Sequence, residues 1–390
     1  MIEILIVIII ILLVLYYTKF LLNIYFGLEK LSHKVLSHKV ENKILPEFVS
    51  VIVPFRNEEH NILTIYNSLI SQNYPIDRYE IIFVNDSSDD NSLQILESMQ
   101  NGLSSLLEKP NIFIYSVSND CLVNAHKKRA IRFGIEKSKG DIIVTTDADC
   151  THPKDWLRNL LKFMDDETGF VSGPVEFRST SNLFSEIQRL EFAGLVIAGA
   201  GLIGSGNPII CNAANIAYRK KAFEKVGGFT YQMSLSSGDD ELLMQKIHRE
   251  TNYKIMFALD KNAIVSTEAN LTIKEFYNQR KRWASKGLFY GDKLLLVKLI
   301  LIFLFYLSLI IQPVFGIFLS VNFLLTFLIS FLVKIFLEYL VITKGTNLLF
   351  DHNILKPFLI TEILQVPYII ISGFMGMFGN FVWKDRKIKR

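Results

Sequence analysis

Two aspartates flank a single alanine at Asp147, Ala148 and Asp149, directly after the apolar run Ile142 to Thr146. Carboxylates alternating with a small residue at a strand end suit a hard divalent cation such as magnesium or manganese, which prefers oxygen ligands and shares them with substrate phosphates. Such a triplet is common by chance, and its weight here comes from its position. Further along, Ser237, Gly238, Asp239, Asp240 and Glu241 put three acids in a row ahead of Leu242, Leu243 and Ile247. One reading is capping, because acids at a helix start are favoured by the helix dipole. The chemical reading is a general base, a carboxylate near a bound diphosphate and metal that takes a proton from an attacking hydroxyl.

Two further loops carry polar residues straight after apolar strands. One reads Val53, Pro54, Phe55, Arg56, Asn57, Glu58, Glu59 and the other Val84, Asn85, Asp86, Ser87, Ser88, Asp89. Carboxylates there can accept hydrogen bonds from a base or ribose, although Asn, Asp and Ser are equally ordinary turn and cap residues. The stretch Gln279, Arg280, Lys281, Arg282, Trp283 sits on a basic, aromatic-bearing segment with Ile273 and Phe276, which has the composition of an interfacial helix.

These residues need a scaffold that delivers strand ends to one place. Between Glu47 and Ser266, apolar runs at Phe48 to Val53, Tyr79 to Val84, Ile112 to Val117 and Asp141 to Thr146 alternate with helical patterns such as Ile62, Ile65, Leu69 and Lys127 to Lys137. Strand and helix alternating in units of about thirty residues predict an α/β domain with a mostly parallel sheet and helices on its faces. In such folds ligands bind outside the carboxyl ends of the strands.

The flanks are of another kind. The chain has 390 residues, is 50% hydrophobic and 21% charged, and sets 42 Lys and Arg against 38 Asp and Glu for a net charge of +4. That excludes a disordered chain and does not suit a nucleic-acid partner. Three widely spaced cysteines, Cys121, Cys150 and Cys211, offer neither a disulfide framework nor a structural zinc site. The apolar excess lies at the ends. Residues 1–26 read as an uncleaved transmembrane anchor, because Ile4 to Leu15 is wholly Ile, Leu and Val while Lys30, Lys34, Lys39 and Lys43 follow it. Residues 47–266 form the α/β domain, 267–293 the interfacial segment, 294–383 about three C-terminal spans and 384–390 a basic tail.

Three details of the flanks stay open in the sequence. Lys334 and Glu338 lie four apart on one helix face, and snorkelling to the interface is the simpler expectation than a buried ion pair. Three C-terminal spans would put the basic tail opposite the α/β domain, against the positive-inside tendency, unless the last segment is re-entrant or interfacial. Ala193 to Gly206 reads as too short and glycine-rich to span, and is expected to pack at the interface, line an acceptor groove or fill the core.

Taken in order, the motifs resemble the family 2 glycosyltransferases with the GT-A nucleotide-sugar fold, specifically the membrane-anchored members, over about Phe48 to Gly287. Pro54, Asn57 and Glu58 look like the first nucleotide-contacting loop. Asp86 matches the acid that binds the base, with Asn85 replacing the first Asp of the commoner pair. Lys127 resembles the lysine of a Gly-Lys segment beside the nucleotide, with His126 in place of Gly. Asp147 and Asp149 fall on the DxD motif, whose second acid is the usual metal ligand. Asp240 falls on the second acid of a Glu-Asp motif, the usual catalytic base, and Asp239 stands where Glu is commoner. Gln279, Arg282 and Trp283 match QxxRW, which lies near the donor diphosphate and acceptor. Gly173, Pro174, Glu191 and the run Cys211 to Asn215 are also similar to membrane-bound relatives.

The resemblance implies an inverting enzyme that uses a divalent cation, magnesium or manganese, and a nucleotide-sugar donor such as a UDP-sugar. It implies an integral membrane protein with a cytoplasmic catalytic domain, and the anchors imply a lipid-linked or membrane-embedded acceptor. A processive polysaccharide synthase is the alternative enzyme reading, and an inactive nucleotide-sugar-binding membrane subunit the alternative of another class.

Overall fold

A computed structural model describes residues 2–37, 47–102, 110–117, 125–230, 238–285, 290, 292–377, 381–383 and 386–388. Cys121, Lys39, Lys43, Ser237, Lys286, Gly287 and Gly379 lie outside the described residues, as do Lys384, Lys389 and Arg390 of the tail.

The chain opens with a long helix α1 (Ile2–Ser37) and then enters the sheet. Strands β1 (Val49–Phe55), β2 (Tyr79–Asn85), β3 (Asn111–Ser116) and β4 (Ile142–Thr145) alternate with helices α2 (Ile62–Ile70), α3 (Ser92–Gly102) and α4 (His126–Lys137). β1, β2 and β4 are buried along their whole length, which is why they read as continuous apolar runs. After helix α5 (Trp156–Leu161) come β5 (Thr168–Ser172), β6 (Val175–Phe177), helix α6 (Leu183–Gly204), β7 (Ile216–Arg219), the short α7 (Lys220–Lys225), α8 (Glu241–Glu250), β8 (Lys254–Phe257) and β9 (Val265–Thr267).

The seven-stranded sheet runs β3-β2-β1-β4-β7-β5-β8. Pairing is parallel from β3 through β4 and again between β5 and β8, while β7 is antiparallel to both its neighbours. β6 and β9 form a separate parallel pair. The α/β expectation holds, with β7 as the one reversed strand.

Helix α9 (Ile273–Ser285) leads from β9 into α10 (Lys293–Phe318), α11 (Asn322–Leu349) and α12 (Phe358–Met377), followed by β10 (Phe381–Trp383) and β11 (Arg386–Ile388). Thr272 and Glu275 begin α9 with a reciprocal capping box, Glu275 N–H donating to Thr272 Oγ1 (3.2 Å) and Thr272 N–H to Glu275 Oε2 (3.1 Å). Leu271 and Ile273 beside it are 85% and 64% exposed, apolar surface suited to an interface.

Among the described residues, five helices, α1, α6, α10, α11 and α12, are long and apolar enough to cross a membrane. α6 corrects the expectation for Ala193 to Gly206: that stretch is the end of a 22-residue helix, long enough by length and composition, yet mostly buried in protein. Its glycines serve close packing. A Cβ on Gly27 of α1 would fall on the carbonyl oxygen of Gly201, and one on Gly201 would stand 2.5 Å from the carbonyl oxygen of Ile24.

Lys334 does not snorkel. It is fully buried and pairs with Glu338 at 3.0 Å and with Glu362 of α12, and Gln365 accepts a further hydrogen bond at 2.8 Å. Tyr17 of α1 donates to Glu338 at 2.6 Å, and Tyr306 of α10 to the same oxygen at 3.2 Å. The polar groups of four helices meet there because none has water to turn to. α12 starts just beyond α11, after a helical turn at His352–Leu355 that packs on α6, and ends near α9, against which β10 lies.

Candidate active site

The carboxyl ends of β1, β2 and β4 converge with the starts of α4 and α8. Behind β1, Asn57 adopts φ 51° and Ser87 behind β2 φ 55°, left-handed conformations uncommon outside glycine and held by surrounding bonds. Asn57 N–H donates to Ser88 Oγ (3.1 Å), and Asn57 Oδ1 accepts from Asp89 N–H (2.9 Å). Glu58 N–H donates to Ser92 Oγ at 2.7 Å. Arg56, which the motif reading passed over, stitches the two loops by donating to the carbonyl of Asp86 (3.1 Å) and to Asp89 Oδ2 (2.6 Å). Pro54 lies within β1 beside Val84 of β2.

Asp86 is 3% exposed. Arg129 of α4 donates to its Oδ1 at 3.3 Å, and His126 Nδ1 stands 4.0 Å from the same oxygen. Arg129 was hidden in the sequence as one charge among several on an amphipathic helix. Only its spacing, two residues after Lys127, could have marked it.

Lys127 opens toward the centre. Its Nζ lies 2.6 Å from Asp147 Oδ1 and 3.2 Å from Asp239 Oδ2. Burial opposes the lysine's charge, but Asp147 and Asp239 outweigh it and hold the ammonium well above its ordinary range. The carboxylates divide in behaviour. Burial raises Asp147, with the charge of Asp149 adding to it against Lys127. Burial also works upward on Asp239, yet Lys127 and then Lys128 hold it below the usual carboxylate value. Lys128, fully buried, is a second cation the motifs did not flag.

Asp149 is exposed at the end of its turn, as a ligand-facing group should be. Behind it the turn is fixed by a neutral histidine. His152 Nε2 is 2.8 Å from Thr146 Oγ1 and Nδ1 3.1 Å from Ser68 Oγ, its ring is 4.2 Å from that of Trp156, and burial drives its pKa down to about 3. Trp156 Nε1–H in turn donates to Asn215 Oδ1 (2.9 Å), while Asn215 Nδ2 donates to the carbonyls of Pro174 (2.7 Å) and Ala263 (2.8 Å). The Gly173, Pro174 and Asn215 positions are thus scaffold: a Cβ on Gly173 would overlap the Asn215 side chain.

Asp240 realises the capping reading of its motif. As N-cap of α8 its Oδ1 accepts from Glu241 N–H at 2.7 Å, and its Oδ2 accepts from Ala213 N–H at 3.0 Å. Glu241, also buried, accepts from the Tyr290 hydroxyl at 2.9 Å. Among the described residues no group of three His, Cys, Asp or Glu side chains is placed to hold a metal by itself. A magnesium or manganese ion bound through one or two carboxylates and substrate phosphates needs no such cage. Asp147 and Asp149 fit that pattern, and Asp239, buried beside Asp147 and paired with the same Lys127, adds negative charge.

The QxxRW residues divide. Asp147, Asp239, Asp240 and Asp149 all act electrostatically on Arg282, which joins it to the acidic centre. Gln279 is engaged elsewhere, its Oε1 accepting from Asn270 Nδ2 and from Arg280 NH1, each at 2.9 Å. Trp283 packs against Phe192, ring centroids 5.9 Å apart, with the Arg280 guanidinium 4.3 Å from its ring.

Comparison with known proteins agrees with this geometry. Residues 50–227 match the family model Glycosyl transferase family 2, and residues 142–355 match Glycosyl transferase family group 2. The chain is 26% identical over 268 residues to the hyaluronan synthase of Streptococcus pyogenes, covering 65% of this chain and 59% of that protein. It is 28% identical over 217 residues to glycosyltransferase AglE of Haloferax volcanii, covering 55% of this chain and 65% of that one. The chain thus spans about three fifths of the length of these curated relatives. In fold it is similar to the mannosyltransferase PcManGT of Pyrobaculum calidifontis, solved with GDP-Man and Mn2+, at TM-score 0.52 and 18% identity over 94% of this chain and 99% of that one. With the sheet order, the acidic centre at the strand ends and a family match across more than half its length, the chain belongs to the family 2 glycosyltransferases of GT-A fold.

Proposed function

We propose that the protein is an inverting glycosyltransferase that moves a sugar from a nucleotide-sugar donor, a UDP-sugar, to a lipid-linked or membrane-embedded acceptor. The observation that carries this is Asp240, a carboxylate fixed by two backbone N–H groups beside the cluster of Asp147, Asp239 and Lys127. Asp86, with Arg129 across from it, receives the base. Pro54, Asn57 and Glu58 line that end of the donor site. Asp149 and Asp147 would hold a divalent cation, magnesium or manganese, which would supply positive charge at the leaving diphosphate. Arg282 adds positive charge to the same centre, where negative charge grows as the glycosidic bond breaks. Lys127, tied to Asp147 and Asp239, keeps those acids in register. Asp240 accepts the proton of the acceptor hydroxyl as it attacks from the face opposite the nucleotide, so an α-linked donor gives a β-linked product.

The long apolar helices support a membrane placement. α1, α10 and α11 cross, the catalytic domain faces the cytoplasm, and α12 returns to the catalytic side near α9. Single transfer is favoured over processive extrusion because the centre where these helices meet is filled by Tyr17, Tyr306, Lys334, Glu338 and Glu362, all nine-tenths or more buried.

The test is release of nucleoside diphosphate from a panel of nucleotide sugars by the full-length protein with lipid extract. Asp240→Asn is expected to cut release by about 10²- to 10⁴-fold while donor binding persists, and EDTA to abolish it until manganese or magnesium is restored. Near-normal turnover in the variant would remove Asp240 from the base role. Full activity in EDTA would remove the metal from Asp149.

A further inference from the structure

Arg280 and Arg282 are two residues apart on α9, so they point to nearly opposite sides of the helix, about 200° apart. Arg282, on the side turned away from Arg280, is close enough to Asp147, Asp239, Asp240 and Asp149 to feel their charges. Arg280 looks the other way and is 3% exposed. It pairs with Glu191 of α6, whose other carboxylate oxygen accepts from the Tyr368 hydroxyl of α12 at 2.6 Å. The rings of Phe276 and Trp283, centred 4.7 Å and 4.3 Å from the guanidinium, hold its plane. Tyr368 also packs on Phe276, with ring centroids 5.3 Å apart.

α12 is itself fixed in rotation. Glu362, Gln365 and Tyr368 recur every three residues along one face. The first two bind the buried Lys334 of α11, and the third binds Glu191. Three polar pegs on one stripe permit one rotation of the helix about its axis, since any other would leave a buried carboxylate or ammonium unpaired.

We propose that Arg280, Glu191 and Tyr368 form a clamp through which the membrane helix α12 sets the position of Arg282. Glu191 and Tyr368 are then positioning residues of the transfer reaction, acting through α9 and touching neither donor nor acceptor. The inference rests on the donor-side role of Arg282 given above. Loosening the clamp lets α9 roll, and a roll of α9 moves Arg282 away from the diphosphate.

A double-mutant cycle on the full-length protein in detergent tests this, reading kcat/KM for diphosphate release and the equilibrium binding of Mn2+–UDP, with Mn2+–GDP in parallel. Tyr368→Phe removes one hydroxyl bond to a charged acceptor and is expected to lower kcat/KM and nucleotide affinity roughly tenfold. Arg282→Lys lowers both further, and Tyr368→Phe in the Arg282→Lys background adds nothing. Should Tyr368→Phe fail to accumulate, Glu191→Gln, which removes the charge holding Arg280, enters the same cycle. Independent multiplication of the two effects would overturn the clamp while leaving the role of Arg282 standing. An Arg282→Lys protein equal to the parent would overturn that role and the inference with it.

Discussion

His152 offers a quantitative check on how the metal-side turn is built. Its imidazole is fully enclosed between Thr146, Ser68 and Trp156, and burial lowers its pKa from 6.5 to about 3. Between those two values the unfolded chain binds a proton that the folded protein does not, so stability rises with pH through this window and is lost on acidification. Above pH 6.5 the contribution is constant. At pH 5 the loss from this one group is about 2 kcal/mol, approaching about 5 kcal/mol near pH 3. Other groups titrate in the same range, so the measurement is a difference. Guanidinium unfolding of the full-length protein in detergent, followed by tryptophan fluorescence, is run at pH 7.5 and 5.0 for the parent and for His152→Phe. The variant keeps a ring against Trp156 but takes the imidazole partner from the Thr146 hydroxyl, while Ser68 keeps its bond to the Ile65 carbonyl, so it is less stable at pH 7.5. It should nevertheless lose about 2 kcal/mol less than the parent on going to pH 5. An equal pH dependence in the two proteins would refute the buried neutral imidazole.

The helix bundle makes two further predictions. Lys334→Met leaves Glu338 and Glu362 buried without a cation and should destabilise the protein by about 3–5 kcal/mol, whereas the triple change Lys334→Met, Glu338→Gln, Glu362→Gln recovers most of it. Thermal unfolding of both in detergent decides, and equal midpoints would contradict a mutually dependent cluster. Gly201→Val sets side-chain atoms against the backbone of Ile24, an overpacking that costs about 1–3 kcal/mol and loosens α1 from α6. Protease sensitivity of the α1 to β1 connection reads that loosening, and an unchanged digestion rate would deny the close approach of the two helices.

Much of the candidate site was legible because Asp86 and Asp147 stand at the ends of continuous apolar strands and Asp239 and Asp240 ahead of a helical apolar pattern, an arrangement visible without coordinates. Asp86, Asp147, Asp239 and Asp240 are all brought to the β1, β2, β4 edge that this pattern marks. Their partners were not legible. Arg56, Lys128 and Arg129 sit on a turn and a helix where a charge is usually solvated, and only the tertiary fold shows Lys128 buried and Arg129 turned to Asp86. Lys334 was misjudged for a related reason. Its near neighbour Glu338 is visible in sequence, but Glu362, Gln365 and Tyr306, which make burial tolerable, come from other helices. Gln279 shows the opposite limit, since a recognised motif position proved to be occupied with Asn270 and Arg280.

The course of α12 bears on how such a chain is inserted. On the placement proposed above, α12 begins beyond α11 and packs on α9, so it stays on the side of the catalytic domain. Among the described C-terminal elements, that placement puts the turn 319–321 between α10 and α11 on the far side. No charged residue stands in that turn. The α10/α11 pair can therefore enter the bilayer as a single hairpin. α12 then docks on that hairpin through Glu362 and Lys334, and through Tyr368 and Glu191 it reaches the helix that carries Arg282.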